Sequence, residues 1–382
     1  MMDPGLPEEL RMLQRSVREF VETRLQPRER EIEERDEIPR ELLDEIASLG
    51  LFGLGFAEED GGSGFGRLGY CVAVEQLARA NASLWNVVGG SVGLCATAIH
   101  LGGTAELRAR YLPALLTGKT IGAYALSEPG AGSDAGALRT LARRDGDRYI
   151  IDGAKTFITN APIADVFAVF ATVDRGAGSK GITAFVVERG TAGLEIGPND
   201  AKMGLHGSTT AQLFFREASI SASQRIGEEG QGFGIALRTL DHGRLGLAAH
   251  AVGAAQRLLE ASVAYAKGRS QFGRPIAANQ GVQWPLADAA TEIHAARLMV
   301  YDAASRLDQG ERVTERVAMT KLFATEMLGR VADTAVQIHG GMGYMKEHWI
   351  ERAYRDARIY RIYEGTSEMQ RVVIAASLLS DG

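Results

Sequence analysis

The sequence contains few cysteines and histidines and no excess of basic residues. Two of its 382 residues are cysteines, Cys71 and Cys95, which are too few and too far apart for a disulfide framework or a zinc knuckle. The seven histidines include no HxxxH or HExxH pair, so we expect no metal site. The formal net charge of −6 argues against a nucleic-acid-binding surface.

A leader peptide and long apolar runs are also missing from the sequence. The first residues, MMDPGLPEEL, form neither a basic nor an apolar region, and no later stretch approaches the ~20 apolar residues that span a bilayer. We therefore expect a cytoplasmic protein without a membrane partner. Hydrophobic residues at 45% and charged residues at 24% are typical of globular proteins, and 382 residues predict two or three domains.

The periodicity of the apolar residues divides the chain into three parts. Leu10, Leu13 and Val17 recur at helical spacing in the first part, and long helical segments return from about Gly230. Between them lie the short β-rich runs DGDRYIIDG, VFAVFATV, GITAFVVE and TAQLFFRE, too closely spaced for βαβ units. We predict an α+β fold with an N-terminal all-α domain (1–121), a middle antiparallel β-barrel or sandwich domain (122–229) and a C-terminal four-helix bundle (230–382).

Several local patterns imitate known motifs without their context. GGSVG matches a nucleophile elbow at Ser91, but it lies in a helical run rather than after a strand. Gly130, Gly132 and Gly136 miss the dinucleotide fingerprint by one residue, so a nucleotide cofactor would not be held by a Rossmann fold. Pro285 predicts either a kinked helix or a helix that begins after it.

The stretch RIYEGTSEMQ places Glu364 beside Gly365, and two interpretations are open. In the first, Thr366 or Ser367 caps a C-terminal helix whose first turn holds Glu368, which leaves Glu364 unexplained. In the second, Glu364 is a catalytic base, and Gly365 lets a substrate approach closely.

Four stretches together resemble the acyl-CoA dehydrogenase family over essentially the whole chain. They are ALSEPGAGSDAGA from Ala125, FITN from Phe157, RSQFGRPI from Arg269, and the region from QIHGGMGY at Gln337 to EGTSE at Glu364. The resemblance implies FAD bound between the β domain and the C-terminal helices. It also implies a homotetramer, a dimer of dimers, in which a neighbouring subunit supplies part of each FAD site.

The resemblance also assigns positions of this chain to the cofactor. The implied FAD-binding residues are Ala125, Leu126, Ser127, Gly132, Ser133, Phe157, Ile158, Thr159, Arg269, Phe272, Gln280, Gln337, Gly340, Gly341, Thr366 and Glu368. Phe157 offers an apolar face where many relatives have Trp, and the Arg269 guanidinium suits a pyrophosphate.

Glu364 matches the catalytic carboxylate of most family members. Isovaleryl- and long-chain enzymes carry that glutamate at a position matched to Gly243, so here only Glu364 can serve. The implied substrate-binding residues are Ser133, Asp241, Arg244 and Gly365. Asp241 and Arg244 could instead form an exposed ion pair on one helix face.

The implied reaction is α,β-dehydrogenation of an acyl-CoA to trans-2-enoyl-CoA, with electrons passed to electron-transfer flavoprotein. An oxidase that uses oxygen and a non-catalytic scaffold are the alternatives. Trp85 either shortens the acyl pocket or belongs to the core, and an acyl-carrier-protein thioester is possible. The stretch ASLWN around Trp85 contains no arginine that could bind a second carboxylate, so a dicarboxylic substrate is less expected.

Overall fold

Helices occupy both ends of the chain and a sheet occupies its middle. This arrangement is seen in a computed structural model that describes residues 5–380, and it confirms the predicted fold class. Residues 1–4 and 381–382, at the ends of the first and third predicted domains, lie outside the described part.

The N-terminal helices are bounded by the expected turn residues. Pro39 precedes one of them, and the positive φ of Gly50 follows its end. The helices are α1 (Glu8–Phe20), α2 (Glu29–Arg35), α3 (Arg40–Ser48), α4 (Gly66–Leu77), α5 (Ala82–Val88), α6 (Thr97–Gly102) and α7 (Ala105–Leu116). Helical turns over Val21–Leu25 and Gln26–Arg28 continue α1 to α2, so the helical path continues through Pro27.

A π-helical stretch, Gly89–Ala96, joins α5 and α6 into one apolar helix over Ala82–Gly102. By length and composition alone, and contrary to expectation, this helix could cross a membrane, but 83% of its apolar window is buried inside the protein. It packs against α4 and β1, as a core helix does. Within it, Ser91 is buried and accepts a hydrogen bond from the N–H of Gly122 at 2.9 Å, which removes the nucleophile interpretation.

The middle of the chain forms one sheet without crossover helices. Its strands are β1 (Gly122–Ala125), β2 (Leu141–Asp145), β3 (Arg148–Thr159), β4 (Val166–Thr172), β5 (Ile182–Glu188), β6 (Leu194–Ile196), β7 (Thr210–Ser221) and β8 (Arg225–Ile226). The spatial order is β6-β7-β3-β2-β4-β5-β8, with β1 beside β4. Pairing is antiparallel except that β1 and β2 run parallel to β4.

The largely apolar sequences of β4 and β5 follow from burial on both faces. Phe167 and Val169 enter the core of the β domain, whereas the alternating residues Val166, Ala168 and Phe170 join the helical core. The sheet is thereby fixed against the helices that complete the site.

The C-terminal region is helical, as predicted. Its helices are α8 (Gly232–Gly268), α9 (Gln280–Asp308), α10 (Thr314–His339), α11 (Trp349–Ala357) and α12 (Ser367–Leu379). Helices α8, α9 and α10 pack on one another, and α12 packs on α10. A short hairpin of β9 (Ser270–Gln271) and β10 (Arg274–Pro275) connects α8 to α9. Helix α9 includes Pro285, which excludes the alternative of a helix that begins after this proline.

Candidate active site

A cavity of about 900 Å³ lies where the three parts of the chain meet. Its walls come from the helix over 82–102, the loop after β1, the end of β3, helix α8 and the turn before α12. The predicted site residues that line it are Leu126, Ser127, Gly132, Ser133, Phe157, Ile158, Thr159, Asp241, Arg244, Glu364 and Gly365.

Glu364 occupies a strained turn in the wall of this cavity. Both Glu364 and Gly365 have positive φ values, 55° and 93°, a conformation that only glycine adopts without cost. The helix after the turn begins as the capping pattern predicts, because the Thr366 hydroxyl accepts from the N–H of Met369 at 3.2 Å. Both interpretations of the EGTSE stretch therefore apply, each to different residues.

Side chains from three helices hold the strained turn. Arg244 of α8 donates from Nε to the carbonyl of Glu364 at 2.8 Å. Lys321 of α10 donates from Nζ to the carbonyl of Gly365 at 2.8 Å. Gln370 of α12 donates from Nε2 to the same Gly365 oxygen at 3.0 Å. Consecutive carbonyls are thus fixed, and this carbonyl clamp of Arg244, Lys321 and Gln370 directs the carboxylate into the cavity wall.

The Glu364 carboxylate itself is left without a partner. Its Oε2 is buried and has no hydrogen bond within residues 5–380, although the residue as a whole is half-buried. Burial raises the pKa of Glu364 to about 7, and the positive charges of Arg244 and Lys321 oppose that rise. A carboxylate with a pKa near neutrality and free lone pairs is suited to general-base work.

Asp241 and Arg244 form an ion pair, but not on an exposed surface. Arg244 Nη1 lies 3.3 Å from Asp241 Oδ1, and both residues are buried, which excludes the alternative of an exposed pair. The Thr314 hydroxyl donates to the other Asp241 oxygen at 2.7 Å. Burial raises the pKa of Asp241. The pair fixes Arg244, which in turn fixes Glu364.

The β-domain wall of the cavity presents an uncovered aromatic ring. Phe157 is 74% exposed and has a positive φ of 57°, next to a register shift between β3 and β7. A bulge of this kind turns a side chain away from the regular alternation. Thr159 and Ser127 line the same cavity as the ring, and a Cβ at Gly132 would meet no atom within 4 Å. This wall fits a large planar ligand that approaches backbone closely.

A buried ion pair that the sequence analysis missed anchors the loop after β1. Lys155 is 0% exposed, and its Nζ donates to Glu128 Oε1 at 2.7 Å and to the carbonyl of Leu126 at 3.0 Å. Glu128 also accepts from the N–H groups of Arg139 and Thr140, at 2.6 and 2.9 Å. One carboxylate therefore joins both ends of the segment that carries Ser127, Gly132 and Ser133.

Trp85 both lines the cavity and belongs to the core. It is 3% exposed, and its ring lies 4.8 Å from that of His250, centroid to centroid. A Cβ at Gly89 would lie 3.0 Å from Trp85 Cζ2, and one at Gly246 would lie 3.4 Å from it. The two glycines provide the space in which the indole is held.

Other predicted cofactor residues lie outside this cavity. Phe272 is 100% exposed at the tip of the β9–β10 hairpin, and Arg269 beside it is exposed. Gln280, Gln337, Gly340, Gly341 and Glu368 are also exposed, Ala125 is buried in β1, and the Thr366 hydroxyl caps α12. One chain therefore does not bring all the predicted cofactor residues together.

Lys155 and Lys321 were the main omissions from the sequence analysis. A usable signal existed for Lys321, because it follows Val317 by four residues and precedes Ala324 by three, on the buried face of α10. A lysine on an apolar helix face requires a specific acceptor, since an unpaired buried charge is costly.

The fold and the site define a flavin-dependent oxidoreductase. Models of the N-terminal, middle and C-terminal domains of acyl-CoA dehydrogenases match residues 7–119, 123–218 and 230–379. The chain belongs to the acyl-CoA dehydrogenase family, and FAD is its cofactor.

Two curated relatives are similar over almost their whole length. The short-chain specific acyl-CoA dehydrogenase of Clostridium acetobutylicum is 42% identical over 99% of this chain and 100% of its own. The 3-(aryl)acrylate reductase of Clostridium sporogenes is 42% identical over 97% of this chain and 99% of its own.

Two solved structures share the fold closely. The butyryl-CoA dehydrogenase of Megasphaera elsdenii has a TM-score of 0.96 and 41% identity, over 99% of this chain and 100% of its own. A chain in a structure of the electron transferring flavoprotein of Acidaminococcus fermentans has a TM-score of 0.97 and 42% identity, over 100% of both chains.

Proposed function

We propose that the protein converts an acyl-CoA thioester to the trans-2-enoyl-CoA, with Glu364 as the catalytic base. The observation that carries this proposal is the unpaired Glu364 carboxylate, held by the carbonyl clamp in a cavity that also exposes Phe157 and Thr159. A non-catalytic scaffold protein would need neither a carboxylate on a strained turn nor a raised pKa of that carboxylate.

The base must remove an α-proton, which is a weak acid even beside a thioester carbonyl. Removal becomes feasible when the developing oxyanion is stabilised and the base has a pKa near the working pH. The N–H of Glu364 has no acceptor within residues 5–380, so it is available to the thioester oxygen. Bound FAD supplies the two-electron oxidant for the β-carbon, while this chain binds the thioester and takes the proton.

The substrate is proposed to enter past Ser133 and the Asp241–Arg244 pair. The same side of the cavity is lined by Arg238 and Arg312, both exposed, which suit the phosphates of coenzyme A. Trp85 occupies volume in the cavity, so we propose a short acyl group.

The cofactor site is proposed to be completed by a neighbouring subunit in a homotetramer. The support is the placement of Phe272 at the tip and Arg269 at the base of the β9–β10 hairpin, both outside the chain's own cavity. Large apolar side chains such as Trp284 and Leu379 are also exposed on α9 and α12, as interface residues are in an isolated chain. Light scattering that shows a monomer with bound FAD would contradict this arrangement.

Electron-transfer flavoprotein is the proposed electron acceptor. The similarity to a chain in a structure of such a flavoprotein supports this, and so does the family. The alternative acceptor, oxygen, would produce hydrogen peroxide during turnover in air.

The decisive experiment mixes the FAD-loaded protein anaerobically with a panel of CoA thioesters of increasing acyl length. Bleaching of the flavin absorbance by one class, with recovery on adding electron-transfer flavoprotein, is the expected result. An absence of bleaching with every thioester would refute the dehydrogenation. Adding an enoyl-CoA to the chemically reduced protein tests the reverse direction, which a 3-(aryl)acrylate reductase at 42% identity makes worth measuring.

A further inference from the structure

A buried lysine without a carboxylate contact lies behind the turn that carries the base. Lys321 is 0% exposed in α10. The carbonyl of Gly365 is the one hydrogen-bond acceptor of its ammonium within residues 5–380, at 2.8 Å. An ammonium has three donors and strongly prefers water or a carboxylate, so a single carbonyl does not account for a charge at this place.

The charge of Lys321 interacts electrostatically with the Glu364 carboxylate. Gly365 directly follows Glu364, and burial lowers the pKa of Lys321 to about 8, with the carboxylate of Glu364 opposing that decrease most strongly. The other charged groups that face Lys321 come from α8, from α10 itself and from α12, and they are Arg244, Glu326 and Glu368. The groups besides Arg244 and Lys321 that face Glu364 are three phenols, which belong to Tyr70, Tyr124 and Tyr363.

Lys321 both donates a hydrogen bond to the turn and carries a charge that is unpaired in the described part of the chain, and the other members of the carbonyl clamp do not combine these two features. Gln370 donates to the same Gly365 oxygen but carries no charge. Arg244 carries a charge but is already paired with Asp241 at 3.3 Å. Within residues 5–380, Lys321 therefore contributes the one clamp charge that forms no hydrogen bond or ion pair with a carboxylate, although Glu326 and Glu368 also face it.

We propose that Lys321 is a positioning residue that both fixes the Glu364–Gly365 turn and supplies the positive charge that keeps Glu364 ionised in its buried site. The inference rests on the proposed function of Glu364. Its consequence is that Lys321 acts on the base rather than on the thioester.

The test compares Lys321→Gln, Lys321→Arg and Gln370→Leu in FAD-loaded protein. The rate of flavin bleaching by saturating thioester is followed from pH 5.5 to 9. Lys321→Gln keeps a hydrogen-bond donor but loses the charge, so its inflection should move upward by about one pH unit, whereas Lys321→Arg should keep the wild-type inflection. Gln370→Leu should lower the limiting rate without moving the inflection. Lys267→Met, at an exposed lysine of α8, controls for net charge.

An unmoved inflection in Lys321→Gln would overturn the proposal, and so would a moved inflection in Lys321→Arg. If Lys321→Gln does not fold, Lys321→Met, which also removes the charge, takes its place in the test. A wild-type protein that no thioester bleaches contradicts the proposed function instead.

A second readout needs no turnover. A double-mutant cycle of Lys321→Gln and Glu364→Gln, measured by the thermal midpoint, should show coupling at pH 8 and much less at pH 5, where Glu364 is protonated. Equal coupling at both pH values would indicate packing alone and would overturn the electrostatic role.

Discussion

Gly243 of α8 lies directly against the carboxylate of Glu364. A Cβ at Gly243 would overlap that carboxylate and would lie 2.6 Å from Leu94 Cδ2. The two positions that the family resemblance assigns to the base therefore converge on one place, and a side chain at Gly243 would displace the Glu364 carboxylate.

This contact predicts that the base can be moved from the turn to the helix. Glu364→Gly should lower the rate of flavin bleaching by about 10²–10⁴-fold, and adding Gly243→Glu should restore at least about tenfold of that loss. Gly243→Ala with Glu364 intact should slow bleaching, because the new methyl displaces the carboxylate. A double variant no faster than Glu364→Gly would show that α8 cannot present a base to the α-carbon.

Trp85 should limit the length of the acyl chain. Trp85→Phe enlarges the cavity beside Gly89 and Gly246, so the ratio of kcat/KM for a longer over a shorter thioester should rise by about tenfold per accommodated methylene. Trp284→Phe, at an exposed tryptophan of α9, is the matched control and should leave the ratio unchanged. An unchanged ratio in Trp85→Phe would assign the indole to core packing alone.

The Glu128–Lys155 pair should hold the loop after β1 in the position that binds FAD. Lys155→Met leaves a buried carboxylate uncompensated and should cost about 3–5 kcal/mol of unfolding free energy, with weaker retention of FAD. Glu128→Gln combined with Lys155→Met should recover part of that loss, because no buried charge remains. Thermal unfolding and flavin content after gel filtration measure both effects. Wild-type FAD retention in Lys155→Met would show that the loop does not depend on the pair.

Local sequence patterns and family motifs were enough to predict the general fold and part of the candidate site. The α+β layout, the cap by Thr366 and the position of Glu364 all follow from short stretches. It did not reveal that Asp241 and Arg244 are buried, because i,i+3 spacing is the same on an exposed and a covered helix face.

Long-range contacts explain the rest of what was missed. Lys155 meets Glu128 across 27 residues, and Lys321 meets Gly365 across 44, so neither partner can be read from its own segment. The homotetramer and the cytoplasmic location stay predictions.

The pH dependence of bleaching should report Glu364 directly. Its pKa is raised to about 7 by burial, and only the ionised form accepts a proton. The rate at saturating thioester should therefore rise about tenfold per pH unit below pH 7 and level off above it. An inflection near the ordinary glutamate pKa would mean that the carboxylate is solvated in the loaded enzyme.

Replacing Glu364 should slow the reaction and, at pH 8, make the folded protein more stable. Glu364→Gln keeps the shape of the side chain but cannot accept the α-proton, so bleaching should fall by about 10²–10⁴-fold while FAD stays bound.

The stability change follows from linkage. Because the pKa of Glu364 is raised on folding, from 4.5 to about 7, the folded state binds the proton more tightly. Stability is therefore lost as pH rises from about 4.5 to 7, and the full cost, on the order of 3 kcal/mol, is present above pH 7. Glu364→Gln removes that cost, so its thermal midpoint should exceed that of the wild type at pH 8 and approach it at pH 5.

Scanning calorimetry of both FAD-loaded proteins at the two pH values, together with the bleaching rates, makes the comparison. A variant that bleaches at a near wild-type rate would refute the catalytic assignment, and one that is slow but less stable than wild type at pH 8 would show that the carboxylate supports the fold instead of straining it.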